Sequence, residues 1–241
     1  MIFKKKFWEN MKLTNIGMIA TETSRSLIYL QSLLVSDLIP SHVLLLLDDR
    51  DELRPGQLPN SNLVRKFLIS NGLNHDVLKT GSINHQSVIN YLRAPGLPEV
   101  FIYSGYGGEI LGKEILSLEK KFLHVHGGYL PQFKGSTTFY YSILQENFIG
   151  YSAIFLNEKI DSGQILFRRK FPVPATSVDF DHTEDPKMRA KILIELLYEY
   201  NKNMLWNETE IENTKTPYYY VIHPVLKNLA ILSCSDSQVE R

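Results

Sequence analysis

The sequence NIGMIATETSRSLIYLQSLLVSDLIPSHVLLLLDD, at residues 15–49, decides the fold class of this chain. It contains an apolar run at 15–20, a segment with the apolar spacing of a helix, and a second apolar run at 42–49. A strand, a helix and a strand at this spacing predict two parallel strands joined by a right-handed crossover. We therefore expect a parallel sheet to organise the chain.

The same alternation continues towards the C-terminus. We predict further strands at 99–105, 121–128, 151–161 and 164–173, and helices at 62–72, 82–94 (capped by Ser82), 109–118, 137–147 and 185–205. Residues 51–62 predict a surface loop, and residues 217–233 a short strand pair or an extended arm. The predicted fold class is α/β: a Rossmann-like, doubly wound, mostly parallel sheet with a short C-terminal helix and strand appendage.

Composition limits the partners that the chain can have. Lys plus Arg and Asp plus Glu number 26 each, so the formal charge is zero, which disfavours a nucleic-acid partner. Cys234 is the only cysteine, which excludes an intramolecular disulfide and a cysteine-rich metal site. No run approaches the roughly 20 apolar residues that span a bilayer, so we expect no membrane association and a cytoplasmic protein.

Two short motifs carry the candidate chemistry. The first, FLHVHGGYLPQFKGSTTFYYSIL at 122–144, brings two histidines, His124 and His126, to a Gly-Gly turn. The second, LNEKIDSGQIL at 156–166, contains Asp161 followed by Ser-Gly. Histidines two positions apart on a strand point to the same face, and ligands of doubly wound sheets bind at the carboxyl ends of strands. We therefore expect both imidazoles to reach one ligand.

The ordered set of motifs resembles the formyltransferases that use N10-formyltetrahydrofolate as donor. That family has an Asn-x-His at a strand end, a Leu-Pro-x-aromatic-(Arg/Lys)-Gly loop, and then Asp-(Thr/Ser)-Gly. The resemblance covers about residues 100–170 closely, and His124 stands at the position of the family's Asn. It implies N10-formyltetrahydrofolate as cofactor and a small-molecule amine as substrate. From the sequence we also expect an N-terminal extension at 1–12, a formyltransferase-like catalytic domain at 13–180 and a C-terminal helix and arm at 181–241.

Formyl transfer to an amine needs a base for the amine's proton and a donor for the developing oxyanion. The resemblance assigns His126 as general base and oxyanion partner, with Asp161 orienting it and relaying the proton. The family's Asn donates a hydrogen bond to the formyl oxygen, and a ring nitrogen of His124 could do the same, more strongly if the ring were charged. The substitution could also mark an altered activity.

The resemblance also implies the residues that hold donor and acceptor. The donor contacts are the main chain after the fourth strand and the turn before Asp161: Tyr106, Gly107, Gly108, Ile110, Leu111 and Ile160. The acceptor contacts are an anion-binding loop and the start of the first helix: Ser24, Arg25, Lys134, Gly135, Ser136 and Thr137. Few residues follow the longest predicted helix, and this favours an amino sugar of surface polysaccharide biosynthesis, nucleotide-linked or nonulosonic, over initiator tRNA as acceptor.

Other interpretations stay open. A formyltetrahydrofolate hydrolase shares the same three residues but uses water in place of the amine. A non-catalytic relative would bind folate without turnover. His124, His126 and Asp161 could also hold a metal ion, although metal binding leaves the Leu-Pro-Gln-Phe-Lys-Gly loop unexplained, so we expect none. The tyrosines at 218–220 could form a homodimer contact, or they could belong to the core.

Overall fold

The structure, a computed structural model, describes residues 13–48, 62–174, 179–210 and 216–236. The expected N-terminal extension at 1–12 lies outside the described residues, as does nearly all of the loop predicted at 51–62.

A seven-stranded sheet forms the centre of the molecule. Its strands are β1 (Ile16–Thr21), β2 (Val43–Leu46), β3 (His75–Leu78), β4 (Val100–Ser104), β5 (Lys121–His126), β7 (Phe148–Phe155) and β8 (Ile165–Pro172). Their order is β3-β2-β1-β4-β5-β7-β8, in which the first five strands are parallel, β7 is antiparallel to β5, and β8 is antiparallel to β7. A second, two-stranded sheet pairs β6 (Lys134–Gly135) with β9 (Tyr218–Tyr219) in parallel.

Helices cover both faces of the central sheet. They are α1 (Ser24–Val35), α2 (Leu63–Ser70), α3 (Gln86–Leu92), α4 (Lys113–Leu116), α5 (Thr138–Glu146), α6 (Asp185–Asn203) and α7 (Pro224–Asp236). A π-helical turn at Phe180–Glu184 precedes α6. This arrangement confirms the predicted α/β, Rossmann-like and mostly parallel fold.

Each face of the sheet has its own core. On one face Leu30 of α1 and Leu193 of α6 pack against the sheet, and on the other Leu92 of α3 packs near Phe101 and Phe122. All five side chains are at most 2% exposed. Burying a leucine or phenylalanine side chain contributes about 1.5–3 kcal/mol, so the two helix layers hold the strands in register. Because the strands are covered on both faces, only their ends are open to ligands.

The strand order reverses between β1 and β4. The chain runs outward from β1 through β2 to β3, and then crosses back to β4 on the other side of β1. The carboxyl ends of the strands at such a reversal form the crevice in which doubly wound proteins bind ligands. Arg25 lies in the first turn of α1, just after β1. Ser104 is the last residue of β4, and His126 is the last residue of the neighbouring β5. The fold therefore brings the predicted site residues to the expected edge.

Two local predictions between residues 82 and 118 are wrong. His85, not Ser82, caps α3, because its Nδ1 accepts the Ser87 backbone N–H at 3.2 Å. The Ser82 hydroxyl instead donates to Glu109 Oε1. Glu109 therefore lies in a loop, and the helix predicted at 109–118 is reduced to the four residues of α4.

The C-terminal tail also differs from the prediction. The segment after His223 is not a strand or an extended arm but the 13-residue helix α7. Pro224 occupies its first turn, where the missing N–H costs nothing. Ala230 and Cys234 lie one turn apart and are fully buried, so burial of this face, rather than local propensity, selects the helix. The strand β3 was not predicted at all.

Candidate active site

A buried histidine and a buried aspartate meet at the end of β5. His126 Nδ1 lies 3.3 Å from Asp161 Oδ1, and the two residues are 5% and 9% exposed. His126 is the last residue of its strand, whereas Asp161 comes from the turn between β7 and β8. β7 ends at Phe155, which pairs with Leu123 near the start of β5, and the turn that follows brings Asp161 back to His126.

The turn that carries Asp161 is built from its own residues. Asn157 accepts the Lys159 backbone N–H through Oδ1 and donates to Ser162 O, each at 3.0 Å. Asp161 has φ +46°, a left-handed conformation that Asp tolerates better than most residues. A Cβ built on Gly163 would overlap Phe155 O, so the chain can pass only with glycine there. The Asp-Ser-Gly motif therefore fixes the direction of the carboxylate.

The second ring nitrogen of His126 also faces oxygen atoms. Its Nε2 lies 2.7 Å from the Phe133 carbonyl oxygen and 3.4 Å from Thr138 Oγ1. A carbonyl can only accept, so Nε2 carries a proton and donates it to Phe133 O. The remaining nitrogen, Nδ1, faces the Asp161 carboxylate.

The Leu-Pro-Gln-Phe-Lys-Gly loop contacts this pair from above. It supplies Phe133 O to the imidazole, and the backbone N–H of Gly135 donates to Asp161 Oδ2 at 2.7 Å. Both members of the pair are thus held by the same loop. The sequence pattern placed the loop near the histidines, but these two backbone contacts could not be read from it.

His124 lies two residues earlier on the same strand, in a different environment. Its Nδ1 faces Tyr103 O at 3.4 Å, and its ring lies beside the Tyr103 ring, with the centroids 6.3 Å apart. Burial, followed by the guanidinium groups of Arg25 and Arg189 and by His126, holds the pKa of His124 well below its ordinary value of 6.5. His124 is therefore neutral near pH 7, and the charged form that would donate more strongly is disfavoured.

Two arginines lie behind His124. Arg25 Nε donates to Ser104 Oγ at 3.3 Å and its Nη2 to Gly105 O, so it is fixed to the end of β4. Burial and the nearby Arg189 lower the pKa of Arg25. Arg189 Nε donates to Asp185 Oδ2 at 2.7 Å, and although burial opposes it, this carboxylate raises the pKa of Arg189. No sequence pattern indicated the ion pair between Arg189 and Asp185 on α6.

All but one of the residues expected at the donor site lie in the loop between β4 and α4. Tyr106 is buried, Gly108 has φ +81° in a turn, and Leu111 is buried below it. Asn84 pins the loop, since it donates to Ile110 O at 2.8 Å. Other residues of the set are open to solvent. Gly107 is exposed, Ile110 is 54% exposed, and Ile160, in the Asp161 turn, is 45% exposed.

The residues expected at the acceptor site lie in two groups. Ser24 and Arg25 open α1, where Thr23 is the residue that caps the helix. Lys134 is only 6% exposed, and its Nζ lies 5.9 Å from the centre of the Tyr218 ring. Within the described part of the chain, no carboxylate lies within ion-pair distance of this ammonium group.

Beside Lys134, two further residues of this group open α5. Ser136 is exposed, and Thr137, which precedes the helix with φ +50°, does not cap it with its side chain. The Thr137 hydroxyl instead accepts the backbone N–H of Ile222 at 2.9 Å. Lys134 and Thr137, two of the residues that the sequence assigns to an anion, therefore contact the C-terminal segment through their side chains.

Two grooves lie at the opposite edge of the sheet, about 300 Å³ and about 930 Å³ in volume, and both are lined by Gly96 and Leu97. Neither groove is lined by a predicted site residue, so we place the site by its polar geometry.

Among the described residues, no cluster of three or more His, Cys, Asp or Glu side chains could hold a metal ion. The helices described here include none that is long and apolar enough to cross a membrane.

Fold and site together define a doubly wound α/β protein with a buried histidine–carboxylate pair at the carboxyl edge of its sheet. The sequence profile of the formyl transferase family matches residues 38–187, more than half of the chain, and this protein belongs to that family. The methionyl-tRNA formyltransferase of Campylobacter fetus subsp. fetus is 28% identical over 138 residues, which are 57% of this chain and 44% of that protein. The chain thus spans less than half the length of this curated relative.

Solved structures of the family share the fold. A sugar N-formyltransferase from Shewanella sp FDAARGOS_354 covers 91% of this chain and 87% of its own, with a TM-score of 0.57 and 14% identity. An N-formyltransferase from Helicobacter canadensis covers 92% and 81%, with a TM-score of 0.59 and 15% identity. At these identities the likeness is one of fold.

Proposed function

We propose that this chain is an enzyme that transfers the formyl group of N10-formyltetrahydrofolate to the amine of a small acceptor. The observation that carries the proposal is the buried contact between His126 and Asp161 at the ligand-binding edge of the sheet. Membership of the formyl transferase family supports it. Two proteins of similar fold also support it. The Helicobacter canadensis N-formyltransferase was crystallised with folinic acid and dTDP-3-aminofucose, and the sugar 3N-formyl transferase WlaRD with dTDP and 5-N-formyl-THF.

The reaction requires one bond to form and one to break. The amine nitrogen bonds to the formyl carbon, the N10–carbon bond breaks, and one proton moves from the amine to N10. The proton that the amine loses can be taken up between His126 Nδ1 and Asp161 Oδ1, which lie 3.3 Å apart, and passed from there to N10 as the N10–carbon bond breaks. We assign uptake of the amine's proton to this pair as a unit.

The oxyanion needs a hydrogen-bond donor in a fixed position. His126 can supply it from Nε2, whose N–H contacts the Phe133 carbonyl at 2.7 Å and can be shared with the oxyanion. The imidazole is buried between the carboxylate and the loop, so a hydrogen bond to the oxyanion is stronger there than in water. Asp161, which holds the opposite nitrogen, keeps the ring in the orientation that this donation requires.

His124 has a different role from the family's Asn. A neutral imidazole has one N–H, and in His124 this group points to Tyr103 O from Nδ1. The other nitrogen then carries a lone pair. We propose that His124 Nε2 accepts a hydrogen bond from the attacking amine and orients its lone pair towards the formyl carbon.

The donor binds beside this centre. The main chain of Tyr106 to Leu111 offers peptide groups to the pterin edge, and Gly107 and Gly108 allow a flat ring to approach closely. Ile110 and Ile160 are the large apolar side chains of this region that remain exposed, at 54% and 45%. A flat, partly apolar ligand lying between them covers both.

The acceptor that the loop favours is an amino sugar that carries an anionic group. Lys134 is only 6% exposed as a residue. Among the described residues, no carboxylate lies within ion-pair distance of its ammonium group. A phosphate or carboxylate of the acceptor would form a charge-assisted hydrogen bond with this ammonium group. Arg25 is committed to the end of β4, so Lys134 is the better candidate for this contact.

The test is mass spectrometry of amino sugars incubated with the protein and N10-formyltetrahydrofolate. We expect an acceptor that gains the mass of one formyl group, and release of tetrahydrofolate that depends on the amine. Release of tetrahydrofolate at the same rate without any amine would identify a hydrolase instead. Binding of the folate without turnover of any amine would identify a ligand-binding relative.

A further inference from the structure

The C-terminal segment around Tyr219 crosses the loop that holds the histidine–aspartate pair. Strand β9, Tyr218–Tyr219, lies parallel to β6, Lys134–Gly135, and Ser136 N donates to Tyr219 O at 2.9 Å. The segment lies outside the residues matched by the family profile, which end at 187. Nothing in the comparison with the family therefore assigns it a role.

The Tyr219 side chain packs into the same loop. Its ring is stacked on the Phe133 ring, with centroids 5.6 Å apart and planes at 21°, and it contacts the Tyr141 ring of α5 at 4.6 Å. Its hydroxyl donates to Gln145 Oε1 at 2.9 Å. Aromatic pairs of this kind contribute about 0.5–1.5 kcal/mol beyond burial, so Tyr219 fixes Phe133 relative to α5.

The opposite side of the loop meets the reacting groups. Phe133 O contacts His126 Nε2 at 2.7 Å, and Gly135 N contacts Asp161 Oδ2 at the same distance. The loop is therefore held between Tyr219 on one side and the His126–Asp161 pair on the other. A shift of the loop away from Tyr219 changes both contacts together.

Gly135 makes this coupling tight. Its φ is +109°, and a Cβ built on it would overlap the Tyr219 carbonyl oxygen. The two backbones therefore approach more closely than any side chain would allow. Strand β9 leaves the Gly135 amide little freedom, and so fixes the direction of its N–H towards Asp161.

We propose that Tyr219 is a positioning residue for the His126–Asp161 pair. Its ring holds the Phe133 carbonyl, and its backbone holds the Gly135 amide, so it acts through the loop and does not touch the substrates. The inference rests on the proposed function for its kinetic consequence. The geometric consequence, a change in the surroundings of the His126 ring, does not depend on activity.

The kinetic test compares three variants. Tyr219→Ala removes the stacked ring, and we expect kcat to fall about 10–100-fold with KM for the donor unchanged within about twofold, since misplacement by about 1 Å costs up to about 100-fold. Tyr219→Phe keeps the ring and should restore kcat to within about threefold. Tyr220→Ala, in the adjacent residue that is 84% exposed, is the matched control and should behave like the original protein.

A second measurement distinguishes this inference from the proposed function. The ¹⁵N signals of the His126 ring should shift in Tyr219→Ala and stay in place in Tyr219→Phe and Tyr220→Ala, whether or not formyl transfer is found. If Tyr219→Ala fails to fold, Tyr219→Leu, which keeps apolar volume without the flat ring, takes its place. Unchanged His126 signals and unchanged kcat in a folded Tyr219 variant without the ring would overturn the proposal.

Discussion

The backbone N–H of Gly135 donates to Asp161 Oδ2 at 2.7 Å, across 26 residues of sequence. The other oxygen of the same carboxylate lies 3.3 Å from His126 Nδ1. One oxygen is thus held by the backbone of a loop and the other by a side chain at the end of a strand. A carboxylate held at both oxygens has a single orientation, which general acid–base chemistry requires of it.

The first prediction concerns the carboxylate. Asp161→Asn keeps the size of the side chain and an oxygen for Gly135 N–H, but removes the negative charge and the proton-accepting oxygen. We expect kcat for formyl transfer to fall by about 10²–10⁴-fold, the usual contribution of a general acid–base group. Initial rates measure this change, with donor affinity as a second readout. Glu158→Gln, an exposed position in the same turn, should leave the rate unchanged. A fully active Asp161→Asn variant would contradict the proposed role.

The second prediction concerns Lys134. Lys134→Gln should raise KM for an anionic acceptor by about 10-fold or more, because a charge-assisted hydrogen bond contributes about 1.5–3 kcal/mol. Lys134→Arg should restore most of the affinity, and KM for the donor should not change. Lys170→Gln, at an exposed position on β8, is the control. An equal loss with acceptors that lack an anionic group would show that Lys134 supports the loop and does not bind the anion.

The third prediction follows from the lowered pKa of His124. Because its pKa is well below 6.5 in the folded protein, the unfolded chain binds a proton below pH 6.5 that the folded protein does not bind. The free energy of unfolding should therefore decrease as pH falls below 6.5, by up to about 1.4 kcal/mol per pH unit from this residue. Denaturant unfolding between neutral and acidic pH measures the slope, and His124→Asn should reduce it.

His42 provides the comparison for that measurement. Burial lowers its pKa too, but the Asp76 carboxylate opposes the shift, so His42→Asn should reduce the slope less than His124→Asn. An equal slope in the original protein and in His124→Asn would contradict the buried, neutral state of His124.

The fourth prediction concerns the crossing at Gly135. Gly135→Ala and Gly96→Ala both place alanine at positive φ, +109° and +81°, which costs about 1–2 kcal/mol. Only at Gly135 would the added Cβ meet another backbone, since nothing lies within 4 Å of the one built on Gly96. We expect the Gly135 variant to lose more stability on thermal unfolding and to lose formyl transfer as well. Equal stability losses with activity retained in both would contradict the close packing of β6 against β9.

Much of the fold could be predicted because its signals are local. The apolar runs that became β1 and β5 are short, buried on both faces and bounded by polar or glycine-rich stretches. The contact of His126 with Asp161 could be expected because the two motifs follow the order found in the family that the sequence resembles. Where a helix depended on a local cap, as at residues 82–94, the prediction of Ser82 was wrong, because the Ser82 hydroxyl donates to Glu109 and His85 caps the helix.

The remainder of the site depends on contacts between distant segments. Arg189 reaches Val125 O from α6, and Tyr219 reaches Phe133 from a segment after it. Neither residue stands in a pattern that distinguishes it from an ordinary arginine on a helix or tyrosine in a tail. The helix α7 was missed for the same reason, since it packs against α5 and buries Ala230 and Cys234 in the folded protein. Tertiary packing, not local preference, determines these features.

The pairing of β6 with β9 has a consequence for biosynthesis. Residue 134 is translated long before residue 218, although the two are partners in one small sheet. On the ribosome, the central strands can assemble while the loop over His126 still lacks its outer strand. The contacts that β9 makes with this loop can therefore form only after the C-terminal tyrosines have been synthesised.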